Sequence, residues 1–144
     1  MDTLITPGHI DSLEPIAEFV LRVAKAAGLA KKPTFGLRLA IDEIATNVIV
    51  HGYQEAGVEG EIKVYASWNE MALEVVLEDI GAAYDPLKAQ SSATDQLEQP
   101  LGNRPVGGLG VYLAVRNVDK FIYERVGGRN RTTFVVYISK PAAT

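Results

Sequence analysis

Between Pro33 and His51 apolar residues occupy almost every face of one predicted helix, so that helix belongs at the centre of the fold. Leu37, Ile41, Ile44 and Val48 form one stripe, while Leu39, Ile49 and Val50 lie on other faces. Pro33 stands near the expected start and Gly52 at the expected C′ stop. Among its polar residues, Glu43, Asn47 and His51 recur at i, i+4 and i+8 as a polar line about 80° wide. Burying a carboxylate and an amide in such a helix costs several kcal/mol unless a partner satisfies them.

The other elements follow from periodicity. Leu13, Ile16, Ala17, Val20, Leu21 and Ala24 mark a helix closed by Gly28, with Asp11 or Ser12 as N-cap. Glu61–Trp68 and Ala72–Glu78 read as a hairpin turning at Asn69-Glu70, with Ile62, Val64, Ala66 and Trp68 alternating. Residues 86–106, rich in Ser, Gln, Asp and Pro, have no periodicity, the composition of a lid, a binding loop or an insert. A third helix is expected after Gly107-Gly108-Leu109-Gly110, running through Val118. Lys120–Val126 and Thr132–Ile138 then form a second hairpin about Gly127-Gly128, and Thr3–Ile5 could add an edge strand. Helices and hairpins in this order predict an α+β two-layer sandwich, a mostly antiparallel sheet covered on one face by helices.

The length of 144 residues fits a single domain, residues 1–144. Eighteen acidic against 14 basic residues give a net charge of −4, which argues against general affinity for nucleic acid or anionic membrane. There is no cysteine, which excludes disulfide, zinc-thiolate and thiol chemistry and suits a reducing compartment. No apolar run approaches the ~20 residues of a membrane span. The opening MDTLITPGHID lacks the basic and apolar regions of a signal peptide, so a cytoplasmic location is expected.

Three short segments could carry chemistry. Glu43 and Asn47 are either a solvated polar edge or a general base with a neutral oxygen ligand for a hard cation such as Mg²⁺. Asp79-Ile80-Gly81 closes the apolar strand LEVVL. It is either a simple turn or a buried acceptor for a ligand N–H, with Gly81 permitting close backbone approach. Gly107, Gly108 and Gly110 precede a helix, where backbone N–H groups and the positive dipole end can hold an anion. Neither the Walker pattern nor the dinucleotide fingerprint is present. His9 and His51 suggest no metal cluster; His51 reads as structural, and Trp68 as core or hairpin packing.

Taken together, the order and spacing of these segments resemble the Bergerat-fold (GHKL) ATPases, and more closely their stand-alone anti-sigma-factor serine/threonine kinases. LAIDEIATNVIVHGY (residues 39–53) is similar to that family's Asn-containing box, and EDIGAAYDP (78–86) to its first glycine box. RPVGGLGVYLAVRNVD (104–119) is similar to the second glycine box, and YERVGGRNRTTF (123–134) to the closing hairpin. The resemblance implies a Bergerat fold, its sheet mixed but mostly antiparallel, with ATP and Mg²⁺ as cofactors. It implies Glu43 as the base acting on the attacking hydroxyl and Asn47 as the Mg²⁺ ligand. It implies Asp79 as acceptor for the adenine amino group, with Gly81 beside it. Gly107, Gly108, Leu109 and Gly110 would form the phosphate cradle, residues 86–106 the ATP lid, and Thr133 an adenine-edge contact through water. Two positions depart from the pattern. Ala82-Ala83 replaces a Gly or charged residue, and Arg104 is the only cation between Gln90 and Val106, either reaching the γ-phosphate or solvated.

The implied activity is phosphorylation of a Ser or Thr on an anti-sigma antagonist (STAS-type) protein, with competing capture of a sigma factor. A homodimer is also implied by the family. The alternatives are a nucleotide-sensing module that sequesters a partner without phosphoryl transfer, and a two-layer fold that binds no nucleotide.

Overall fold

A computed structural model of the chain describes residues 2–83 and 109–138. Strand β1 (Asp2–Pro7) leads through a 3₁₀ turn at Ile10–Ser12 into α1 (Leu13–Ala27) and then α2 (Lys31–Asn47). A π-helical segment, Val48–Gln54, extends α2. Strands β2 (Glu61–Trp68) and β3 (Ala72–Asp79) precede α3 (Leu109–Arg116), and β4 (Lys120–Val126) and β5 (Arg129–Tyr137) follow it. The five strands form one sheet in the order β1-β2-β3-β5-β4, antiparallel at all four pairings. This is the expected α+β architecture, with β1 as the edge strand and helices over one face of the sheet.

The core lies between that face and the helices. Ile16, Val20 and Val23 of α1 and Leu37, Ile41 and Ile44 of α2 meet Ile62, Val64, Leu73, Val75, Leu77 and Phe134 of the sheet, all essentially inaccessible to solvent. Phe121 meets Phe134 edge-on, ring centroids 5.4 Å apart. In the β2–β3 hairpin, Asn69 Oδ1 accepts the backbone N–H groups of Met71 and Ala72, the Asx geometry that turns the chain.

Four local expectations are corrected. Ser12 does not cap α1: its backbone is already helical, and its hydroxyl donates instead to the Pro7 carbonyl at 2.6 Å. Gly52 does not stop α2, for its φ is not positive and the chain continues through it in π turns, with Val58 N–H donating to Tyr53 O. Nor is α2 enclosed. Phe35 and Leu39 remain 59% and 43% exposed, because a two-layer fold leaves the outer side of its central helix in solvent. Trp68 is 38% exposed at the end of β2, so the inward alternation of that strand ends at Ala66.

Close packing also fixes where α3 ends. A Cβ on Gly36 would stand 2.9 Å from the Asn117 carbonyl oxygen, so the residue after α3 abuts the first half of α2. α3, eight residues and ~12 Å long, packs against α2 from that contact.

Candidate functional site

Asp79 ends β3, the central strand of the sheet, and only 3% of it is exposed. Its Oδ1 accepts two hydrogen bonds of 2.9 Å, from the Gly81 backbone N–H and from Asn130 Nδ2. Asn130 is its register partner on β5. The same Asn130 amide nitrogen lies 3.3 Å from the Gly81 carbonyl and 3.1 Å from that of Ala82, so one side chain ties β5 to the loop leaving β3. Asn130 Oδ1 in turn accepts from Tyr123 Oη at 2.5 Å and from the Arg125 guanidinium at 2.9 Å.

On the other side of the loop stands the π segment. Gly52 O accepts the Ala82 N–H at 2.9 Å, and Tyr53 Oη accepts the Ile80 N–H at 3.1 Å while donating to Glu61 O at 2.6 Å. A Cβ on Gly81 would meet the Gly52 carbonyl oxygen at 2.7 Å and Asp79 Oδ1 at 3.1 Å, so this loop lies where only glycine fits. A π turn at such a place serves a purpose common in functional segments, aiming backbone groups that a continued α-helix would use internally.

The electrostatics are uneven. Burial holds the Asp79 carboxyl above its ordinary range, against the hydrogen bonds of Asn130 and Gly81 and the charge of Arg125. The half-buried Glu43 is likewise raised, chiefly by burial and then by the neighbouring Asp42 charge. A carboxylate moved in this direction is a better proton acceptor near neutral pH. Asn47, one turn further on, supplies a neutral amide. Among the described residues no three His, Cys, Asp or Glu side chains gather to hold a metal unaided. The donor set suits a cation that takes most of its ligands from water and a bound phosphate.

The structure thus assembles Asp79 and Gly81 beside the π segment that extends α2, the helix that bears Glu43 and Asn47, and α3, which begins with Leu109 and Gly110, packs against the same helix. Arg104, Gly107, Gly108 and the 86–106 stretch lie outside the described residues. Thr133 is not brought together with Asp79. It pairs with Val76 on the face opposite to the core, whereas Thr132 shares the face of Asp79 and Asn130. His51 lies on the surface with Nδ1 2.9 Å from Glu55 Oε2. Sequence reasoning missed Asn130, Arg125 and Tyr53. The tight Gly127-Gly128 turn was the available signal, since it pairs Val126 with Arg129 and sets the face of every residue after it.

The family model of the histidine kinase-like ATPase domain matches residues 6–136 of this sequence. The chain belongs to that family. This ATPase domain is 33% identical over 93 residues to the serine-protein kinase RsbW of Bacillus thuringiensis (strain Al Hakam), covering 63% of the chain and 56% of that relative. The corresponding kinase of Bacillus anthracis (strain CDC 684 / NRRL 3495) is 32% identical over the same coverage. The match therefore spans little more than half the length of these relatives. Among solved structures, a chain of the SiaB-SiaC complex from Pseudomonas aeruginosa superposes with a TM-score of 0.58 at 15% identity, covering 96% of this chain and 90% of that one. The histidine kinase domain of the Erythrobacter litoralis EL346 blue-light activated histidine kinase gives 0.52 at 16% identity, covering 89% and 60%. The ATPase domain therefore has the fold that the three motifs implied, and no helix among its described residues is long and apolar enough to cross a membrane.

Proposed function

We propose that this chain is a cytoplasmic protein serine/threonine kinase of the anti-sigma type that uses ATP and Mg²⁺. It phosphorylates a hydroxyl of a STAS-type antagonist protein and holds a sigma factor in competition with that antagonist, acting as a homodimer. The observation that carries the reading is Asp79 and Gly81 packed beside the π segment that extends α2, the helix that bears Glu43 and Asn47. The kinship to serine-protein kinases supports the direction of the chemistry.

When bound, Mg·ATP supplies the phosphoryl group to be transferred. Asp79 accepts a hydrogen bond from the purine amino group at the floor of the site, beside the loop that Gly81 lets pack against Gly52. Asn47 offers its amide oxygen to the cation. The first turn of α3, with Gly107 and Gly108 before it, presents backbone N–H groups to the phosphates. Glu43 takes the proton of the attacking hydroxyl, a role favoured by its raised proton affinity. Phosphoryl transfer asks a protein chiefly for positioning and charge neutralisation, and these groups supply both.

The test is incubation with γ-labelled ATP and the cognate antagonist. Label on the antagonist, lost in Glu43→Gln with ADP affinity retained, is the expected result. Nucleotide binding with no transfer by the wild-type chain overturns the kinase reading and leaves the sequestering module. No binding of Mg-ATP or Mg-ADP, seen as an unchanged melting curve at millimolar ligand, overturns both.

A further inference from the structure

We propose that Asn130, held by Arg125 and Tyr123, is a specificity-determining positioning residue that presents Asp79 to a purine purely as an acceptor, selecting a 6-amino over a 6-oxo base. This rests on the nucleotide reading above and deepens it.

The orientation of the Asn130 amide is forced by its neighbours. Its nitrogen faces a carboxylate oxygen and two carbonyls, which only accept, and its oxygen faces the Arg125 guanidinium, which only donates. Asn130 is 4% exposed, so water offers it no alternative arrangement. Among the described residues the donors to Asp79, Asn130 and the Gly81 N–H, both meet Oδ1, and Oδ2 is the oxygen offered to a ligand.

An ionised carboxylate at Oδ2 accepts the N–H of a 6-amino group. In the same pose, a 6-oxo base turns a carbonyl oxygen on it, and two acceptors face each other unless the carboxyl carries a proton. The groups around Asp79 decide which form prevails. Burial favours the proton; Asn130, Gly81 N–H and Arg125 oppose it. Among the described residues, Tyr123 on β4 and Tyr53 on the π segment are the other titratable groups of this network, and both hydroxyls donate, to Asn130 Oδ1 and Glu61 O. Removing Asn130 or Arg125 leaves burial less opposed. Asp79 then takes up a proton more readily and tolerates the 6-oxo base.

The experiment is calorimetric titration of the full chain with Mg-ADP and Mg-IDP. The wild-type chain is expected to prefer ADP by at least ~10-fold, and the preference to fall to about threefold or less in Asn130→Ala and in Arg125→Gln. Arg125 is exposed, so its variant decides the matter should Asn130→Ala fail to fold. A purely structural role for the pair would weaken both ligands alike and leave their ratio unchanged. ADP bound with that ratio intact in Arg125→Gln overturns this proposal and spares the nucleotide reading. A wild-type chain that binds neither ligand overturns both.

Discussion

Gly81 rests directly against Gly52: a Cβ on Gly81 would stand 2.7 Å from the Gly52 carbonyl oxygen and 2.9 Å from its carbon. Both obstructing atoms are backbone, and that same oxygen accepts the Ala82 N–H, so neither can move without breaking the junction of π segment and loop. Gly81→Ala is expected to cost about 1–3 kcal/mol, the range for overpacking a tight site. The check is a urea midpoint lowered at unchanged m, with nucleotide affinity falling further than stability alone accounts for.

Asp79→Asn is expected to raise stability at neutral pH while weakening nucleotide binding. A carboxyl whose folded pKa is raised contributes stability below its ordinary 3.8, and this is lost as pH climbs through the folded value. At pH 7 the ionised Asp79 is therefore a cost that the amide removes. The gain, roughly 2–4 °C in Tm for a domain of this size, should shrink as pH is lowered toward 4. ADP affinity should fall about tenfold or more. A variant less stable at pH 7 than the parent would contradict the assignment.

The opposite face of the sheet responds to acid in the other sense. Glu78 is pushed up by burial, but the hydrogen bonds of Arg131 at 2.7 Å and Tyr65 at 2.9 Å, with the charges of Arg131 and Lys63, outweigh this and hold it below its ordinary value. Its contribution is present above the unfolded carboxylate range and lost as pH falls through the folded pKa. Glu78→Gln should therefore cost about 1 kcal/mol at pH 7 and progressively less in strong acid. Parallel stability curves at the two ends would remove Glu78 from the account.

Thr6, 6% exposed on β1, buries an Oγ1 that has no hydrogen-bond partner among the described residues. Thr6→Val keeps the shape and removes the orphaned hydroxyl, so stability should rise by about 1 kcal/mol. Chemical denaturation of the two chains measures it, and an unchanged or lower midpoint would show that the hydroxyl is served in solution.

Most of the framework was readable because it rests on local rules. The stripe from Leu13 to Ala24 and the glycine at 28 bound α1 to the residue, and Gly28 does take the left-handed conformation, φ 82°. Asp79 and Gly81 could be singled out because a charged residue ending an apolar strand breaks the pattern around it. What escaped depends on contacts between distant segments. Gly52 has the composition of a helix stop, yet its carbonyl is engaged by Ala82, thirty positions on, and the helix widens instead of ending. The resemblance pointed to Thr133, but the pairing of β3 with β5 sets Thr132 on the face of Asp79 and turns Thr133 to the other. For Asn130 the Gly127-Gly128 turn gives the face, but its meeting with Asp79 comes from the pairing of β3 to β5, which no local pattern encodes.

The two glycines at the tip of the β4–β5 hairpin have a consequence for how this gene can change. They fix the phase of β5, and so place an amide, rather than the guanidinium of Arg129 or Arg131 on either side of it, opposite Asp79. Exposed turns are where insertions and deletions ordinarily survive. Here a single added or lost codon, if absorbed by slippage of the strand, would exchange a neutral partner of Asp79 for a cation. A length change in a surface turn would act on this site as a missense mutation in its interior.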